Sequence, residues 1–318
     1  MTGTSNWLIY FSKITLVFIY LVILAGAVVR STGSGMGCPD WPKCFGKWVP
    51  PTDESQLPPD YHKIYKDRGY SDTTFNVYHT WTEYANRLMG ALLGIFVFVT
   101  FILSLKYRKS NRAIVYLCAA EVLLVGFQGW LGALVVNSNL APIKITVHMV
   151  MALVIVALSI YTITRISNNP NTFLNNNYKK IKNVLILCLL FSIIQIVIGT
   201  QVRERVDKVS FSLDYEFRDT WISYLGAYFE IHRIFAVVVI LINFYLFKLI
   251  KKNTNGEKTV VRYGKIILSL ISAEILVGII LSYFALPAFI QPLHLLLASI
   301  LFGVQFYLFM VLTNTIES

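Results

Sequence analysis

Eight times along this 318-residue chain the sequence turns apolar for about the 20 residues that a helix needs to cross a bilayer. The runs fall at 10–30, 80–104, 113–136, 143–165, 184–203, 226–250, 265–286 and 291–313. No other feature limits the fold as strongly. Inside hydrocarbon every backbone N–H and C=O must be satisfied within the segment or by closure into a barrel. Unbroken apolar runs of this length, without two-residue alternation, select the helix. Composition agrees: 56% of residues are hydrophobic and 14% charged, with a mean hydropathy of +0.61. The length would otherwise suit two soluble domains. The expected fold is an all-α integral membrane protein with eight transmembrane helices. The first run lacks a small-residue cleavage site and reads as a retained span.

A net charge of +11 would suggest nucleic acid in a soluble protein, but no nucleic-acid motif is present. The cations sit in the loops after spans 2, 4 and 6: Lys106, Arg108, Lys109 and Arg112; Lys179, Lys180 and Lys182; Lys251, Lys252, Lys258 and Arg262. By the positive-inside rule these loops and both termini are cytoplasmic. Loop 31–79 then lies outside, periplasmic in a bacterium with two membranes. Its cations are balanced by Asp40, Asp53, Glu54, Asp60, Asp67 and Asp72, and its start, STGSGMGCPDWP, reads as structured loop. Cys38 and Cys44 in that loop are a candidate disulfide in an oxidising compartment, the alternative being free or metal-binding thiols. Cys118 and Cys188 lie inside apolar runs and read as packing residues. Trp81 and Trp221 near span ends read as an aromatic belt, and His62 as a solvated loop residue.

The chain reads as one four-helix unit written twice. Glu83-Tyr-Ala-Asn-Arg87 resembles Phe229-Glu-Ile-His-Arg233, and Arg87 precedes Arg233 by 146 residues, as His148 precedes His294. Arg87 to His148 spans 61 residues, and so does Arg233 to His294. Gly26-Ala-Val-Val-Arg30 closing span 1 matches Gly199-Thr-Gln-Val-Arg203 closing span 5. Glu121 and Gly126 on span 3 are matched with Glu274 and Gly278 on span 7, an equivalence that suggests a structural role for the two acids. Four spans per half make the repeat parallel. The expected organisation is two pseudo-symmetric four-helix bundles, residues 1–170 and 171–318.

Ionisable groups inside spans are costly and commonly functional. His232 lies about six residues, roughly 9 Å at ~1.5 Å per residue, into span 6. His148 and His294 enter spans 4 and 8 to a similar depth. Two imidazoles at one level on facing helices satisfy bis-histidine haem ligation, which makes His232 with His294 a candidate haem pair. Hydrogen-bonded bundle histidines, or a metal or proton site, remain the alternatives. In the first half Asn86 replaces the histidine and is a poor iron ligand. Glu83, Asn86 and Arg87 share a face with His79 at the outer mouth. A haem incompletely ligated there, beside a carboxylate, suits a substrate better than a permanent cofactor, although Glu83 can also simply pair with Arg87. Arg30 and Arg203 at the outer span ends suit haem propionates or ordinary interfacial anchoring.

These stretches together resemble a known family. GAVVRSTGSGMGCPDWPKC after span 1, HTWTEYANR on span 2, EIHR on span 6 and the histidines of spans 4 and 8 are similar to haem A synthase, and the likeness covers nearly the whole chain. The resemblance implies haem b in the C-terminal half with His232 and His294 as axial ligands. It implies oxidation of the C8 methyl group of haem o to a formyl group in the N-terminal half. It implies Glu83 as the functional carboxylate and His148 as a ligand of the substrate haem. Many members carry a second histidine at Asn86; here either His79 substitutes or His148 binds alone. Cys38 and Cys44 match a loop pair found in some members. Haem o synthase and a second copy of the chain are candidate partners, and the electron acceptor is not specified by sequence. A dihaem b-type electron-transfer protein is the alternative, weakened by Asn86. A transporter built from repeats is a third, weakened by the clustering of polar residues at the outer level.

Overall fold

Eight helices long and apolar enough to cross a membrane are present among the described residues. The computed structural model describes residues 3–71, 74–167, 178–253 and 258–313. Asp72 and the expected domain boundary at 170 lie outside them. The membrane helices are α1 (Gly3–Ser31), α3 (Val77–Ser104), α4 (Arg112–Asn137), α5 (Pro142–Ser167), α6 (Tyr178–Ser212), α7 (Ala227–Asn253), α8 (Lys258–Tyr283) and α9 (Ile290–Thr313), with a one-turn helix α2 (Tyr61–Ile64) in the loop. No strand occurs among the described residues. The chain divides into two compact units, 1–155 and 156–318, so that α5 contributes to both.

In the first unit α3 packs against α1 and α4. Asn76 starts α3 by accepting the N–H groups of Tyr78 at 2.9 Å and His79 at 3.1 Å, which satisfies two of the orphan donors of a helix start. Thr15 of α1 and Thr100 of α3 are hydrogen-bonded at 3.2 Å in the interior. The α4–α5 turn runs through Asn139 and Leu140, both at positive φ, and Pro142 opens α5, where its missing N–H costs nothing.

The long loop is an ordered cap with its own core. Phe45, 1% exposed, meets Tyr61, Tyr65, Tyr70 and Phe75 edge-on at 5.3–6.3 Å between centroids, a geometry that aromatic quadrupoles favour. Cys38 and Cys44 form the expected disulfide beside this cluster. Asp40 accepts the N–H groups of Phe45 at 2.6 Å and Gly46 at 2.8 Å, and Gly46 takes the positive φ that the turn needs. Arg68 donates to the Asn137 carbonyl at 2.6 Å, anchoring the cap to the end of α4. His62 is exposed as expected, with Nδ1 2.7 Å from the Tyr70 carbonyl.

In the second unit α6–α9 close a ring: α6 packs on α7 and α9, and α8 on α7 and α9. Its apolar core includes Ile181, Leu185, Leu246, Ile250, Ile267 and Leu308. Three helices are joined by a fully buried polar chain. Ser192 donates to Gln305 at 2.9 Å, and Gln305 to Asn243 at 2.9 Å. Asn243 in turn donates to the Val239 carbonyl at 2.9 Å. Interhelical bonds of this kind join membrane helices where burial alone gives no preference.

Two expectations are corrected here. The apolar run of the fifth span stops at 203, yet α6 runs on to Ser212. Pairs one turn apart support the extension, Arg203 with Asp207 at 2.7 Å and Lys208 with Glu204 at 2.6 Å, while Val206 and Val209 pack against Trp221 and Leu225. Trp221 is therefore not a belt residue. It is 6% exposed, lies in a 3-10 turn, Arg218–Tyr224, and gives its indole N–H to the Glu216 carbonyl at 2.7 Å.

Candidate functional site

Each unit brings together part of the residue set anticipated from sequence. In the first, Glu83 is 3% exposed on α3. Its Oε1 accepts from Arg87 Nε at 3.1 Å and from Nη2 in a shorter contact, and its Oε2 accepts the Cys38 N–H at 2.9 Å. Arg87 also donates to the carbonyls of Asp40 at 2.7 Å, Lys43 at 2.9 Å and Cys38 at 3.3 Å. The carboxylate is thus held by two elements, one turn of its own helix and the disulfide loop. A close backbone approach makes this possible. A Cβ at Gly37 would lie 2.3 Å from the His79 carbonyl oxygen, and the Thr80 hydroxyl donates to the Gly37 carbonyl at 2.8 Å across the same contact. His79 sits in the first turn of α3, half-buried, one turn before Glu83 on its face.

Further along that face Asn86 Oδ1 is buried without a hydrogen-bond partner and packs beside Gly26 of α1, where a Cβ would come within 3.8 Å. On α5, His148 Nδ1 is likewise buried and unpaired. Its ring lies against Gly132 of α4, where a Cβ would stand 3.4 Å from Cε1. Gln128, one turn before Gly132, gives its amide N–H to the His148 carbonyl at 2.9 Å.

In the second unit His232 of α7 and His294 of α9 face each other, ring centroids 6.4 Å apart and planes at 75°. Each again meets a glycine on a neighbouring helix: Gly199 of α6, at 3.3 Å from His232 Cε1 by the same measure, and Gly278 of α8, at 3.8 Å from His294 Cε1. Gln195 Nε2 donates to the His232 carbonyl at 3.1 Å and lies 3.3 Å from its Nδ1. Glu274 Oε2 lies 2.6 Å from His294 Nδ1. Where the first unit has Glu83 under Arg87, the second has Phe229, with the Arg233 guanidinium 5.5 Å from its ring centre. Glu230 and Arg233 pair at 3.2 Å with more than half of each side chain exposed. Arg203 meets Asp207 and, in a short contact, Gln291; Arg30 lies in the last turn of α1. Among the described residues no three His, Cys, Asp or Glu side chains gather as a bare metal site.

The match of Glu121 with Glu274 is corrected. The 146-residue interval that relates the histidines sets Gln128 against Glu274 and Gly132 against Gly278. In space, too, Gln128 and Glu274 are the residues that touch His148 and His294. Glu121 stands 146 residues before Ile267 instead, and it is 3% exposed in the interior. Gln195 and Gly132 escaped sequence reasoning, although the interval carried a signal for Gly132; Gly26, Gly199 and Gly278 stood out as matched positions, but not as neighbours of Asn86 and the histidines.

Eight apolar helices of membrane-spanning length, with two imidazoles facing each other in the second unit and a loop with its own aromatic core in the first, define an integral membrane protein. The model for the cytochrome oxidase assembly protein family COX15-CtaA matches residues 9–306; the chain belongs to that family. It is 33% identical over 162 residues to the Heme A synthase of Shewanella oneidensis, covering 50% of this chain and 46% of that protein. Longer matches reach the Heme A synthases of Flavobacterium johnsoniae, 22% identical over 92% of this chain and 93% of that one, and Shouchella clausii, 25% identical over 95% of each.

Proposed function

We propose that this chain is a haem A synthase, an oxidoreductase that converts the C8 methyl group of haem o to a formyl group in its first unit and holds haem b in its second. The observation that carries the reading is the His232–His294 pair. Two imidazoles on one iron, at about 2.0 Å per bond with each ring centre about 1.1 Å further back, stand about 6 Å apart, and these rings are separated by 6.4 Å. The flanking glycines keep Cβ groups away from both rings. Haem b bound here would supply a one-electron relay.

The first unit supports a substrate site. His148 and Asn86 offer buried polar atoms without protein partners, and His148 is the iron ligand of the pair. A single strong ligand suits a haem that must enter as substrate and leave as product. Glu83, held by Arg87 and the Cys38 N–H, presents a carboxyl group fixed in position. A carboxylate preorganised in low dielectric stabilises positive charge developing on the substrate methyl group better than water does. In the second unit Phe229 takes that position, in keeping with a haem on which no chemistry is done. Arg30 and Arg203 are assigned to propionates, and His79 to the outer rim of the substrate site. The cap and the Cys38–Cys44 disulfide lie on the outer face of a bacterial plasma membrane, with both termini cytoplasmic.

Pigment extraction from purified protein tests the assignment: a synthase yields haem o or haem a as well as haem b, whereas an electron-transfer protein yields haem b alone. Glu83→Gln keeps shape and removes charge. It is expected to lower conversion of haem o at least tenfold while haem b content stays unchanged. Conversion at the wild-type rate sinks the role given to Glu83.

A further inference from the structure

Glu274 has no part in the function set out above, and its surroundings give it one. The geometry points to Glu274 as the positioning residue that orients His294 toward iron and sets the electronic character of the haem b site. The inference rests on His294 being a haem b ligand. Glu274 Oε2 is 2.6 Å from His294 Nδ1, with the ring turned so that the N–H lies off the N–O line. Neither Nδ1 nor the second carboxylate oxygen, Oε1, has any other hydrogen-bond partner, and both are buried. A modest rotation of the imidazole, whose χ2 well is broad, aligns the two groups. A carboxylate accepting the Nδ1–H fixes the tautomer, frees the Nε2 lone pair for iron and raises ligand basicity.

The first unit shows what happens without the charge. Gln128 occupies the corresponding place, 146 residues earlier. Its amide turns to the His148 backbone carbonyl at 2.9 Å and leaves His148 Nδ1 unpaired. One helix position therefore carries an anion aimed at the imidazole in one unit and a neutral amide aimed at the backbone in the other. A basic, oriented imidazole binds iron tightly and favours the ferric state. An undirected one binds more weakly, as exchange of a substrate haem requires. Glu274 against Gln128 separates a resident haem from a transient one.

The test compares wild type, Glu274→Gln, Glu274→Asp and His294→Ala as purified membrane protein. It follows haem b content, the haem b midpoint potential, the ferric low-spin resonance spectrum and the rate of haem transfer to apomyoglobin. Glu274→Gln keeps an acceptor but loses the charge. It should retain haem b, raise the midpoint potential, shift the resonance spectrum and speed haem loss by roughly 10- to 100-fold, the range for loss of an outer-shell partner. Glu274→Asp should restore the potential in part. A wild-type potential and transfer rate in Glu274→Gln overturn the proposal. If Glu274→Gln does not accumulate, Glu274→Asp decides, because its shorter side chain draws back from Nδ1 and must speed haem transfer; an unchanged rate overturns the proposal. Haem b content unaffected in His294→Ala would show instead that the ligand assignment itself is wrong, whereas haem loss in that variant with an unchanged Glu274→Gln removes only the role of Glu274.

Discussion

Replacing Gly37 by alanine should undock the disulfide loop from α3. The added Cβ would stand 2.3 Å from the His79 carbonyl oxygen, 2.4 Å from its carbon and 2.7 Å from the Thr80 nitrogen. All three are backbone atoms of a long helix and cannot turn aside. Restoring ordinary van der Waals separation moves the loop by about 1 Å. That displacement takes the 2.9 Å bond from Cys38 N–H to Glu83 and the 2.8 Å bond from Thr80 to Gly37 beyond hydrogen-bonding range. The first, to an ionised acceptor, contributes about 1.5–3 kcal/mol and the second about 1 kcal/mol. A total of about 2.5–4 kcal/mol corresponds to a 50- to 1,000-fold fall in the docked population. Amide hydrogen exchange over residues 37–45 in lipid nanodiscs reads this as lost protection. Haem o conversion should fall with it, because Glu83 loses one of its two anchors, while haem b content stays constant. Gly90→Ala is the control: on α3, with no atom within 4 Å of its Cβ position, it should leave exchange in the loop unchanged. Wild-type protection in Gly37→Ala would refute the idea that this contact holds the loop against the carboxylate.

Gly199→Ala should weaken haem b retention more than Gly278→Ala, because the new Cβ would stand 3.3 Å from one imidazole and 3.8 Å from the other; α-band absorbance per protein measures both. Gln305→Leu strands Ser192 and Asn243 in the interior and should destabilise the second unit by about 1–2 kcal/mol, seen as a lower midpoint in detergent-mediated unfolding. Arg87→Lys keeps a charge beside Glu83 but cannot span the Asp40, Lys43 and Cys38 carbonyls as the guanidinium fork does. It should reduce haem o conversion several-fold, and an unaltered rate would show that the fork is dispensable.

Much of this molecule was legible in the residues because the bilayer leaves few choices. Apolar runs of span length must become helices, so the eight helices are countable from the sequence. Polar residues recurring at a fixed interval inside such runs singled out His148, His232 and His294, and the last two face each other in the structure. The cysteine pair in a polar loop likewise anticipated the disulfide. Where sequence reading failed, two residues of the same type or a shared flank misled it. Glu121 and Glu274 look alike, but partnership with a histidine is set by helix rotation, and that rotation follows the 146-residue interval. Trp221 sits near a span end, as a belt residue would, yet the helical extension of α6 gives it a solid surface to pack on.

Only the tertiary structure decided which atoms meet. The approach of Gly37 to α3, the anchoring of Glu83 from the loop, the 6.4 Å separation of the histidine rings and the contrast between Glu274 and Gln128 all depend on the facing of separate segments. Sequence determines local burial and helix phase because those act within a few turns. The rotation of one helix against another is fixed by side-chain packing summed over whole interfaces, which no single stretch encodes.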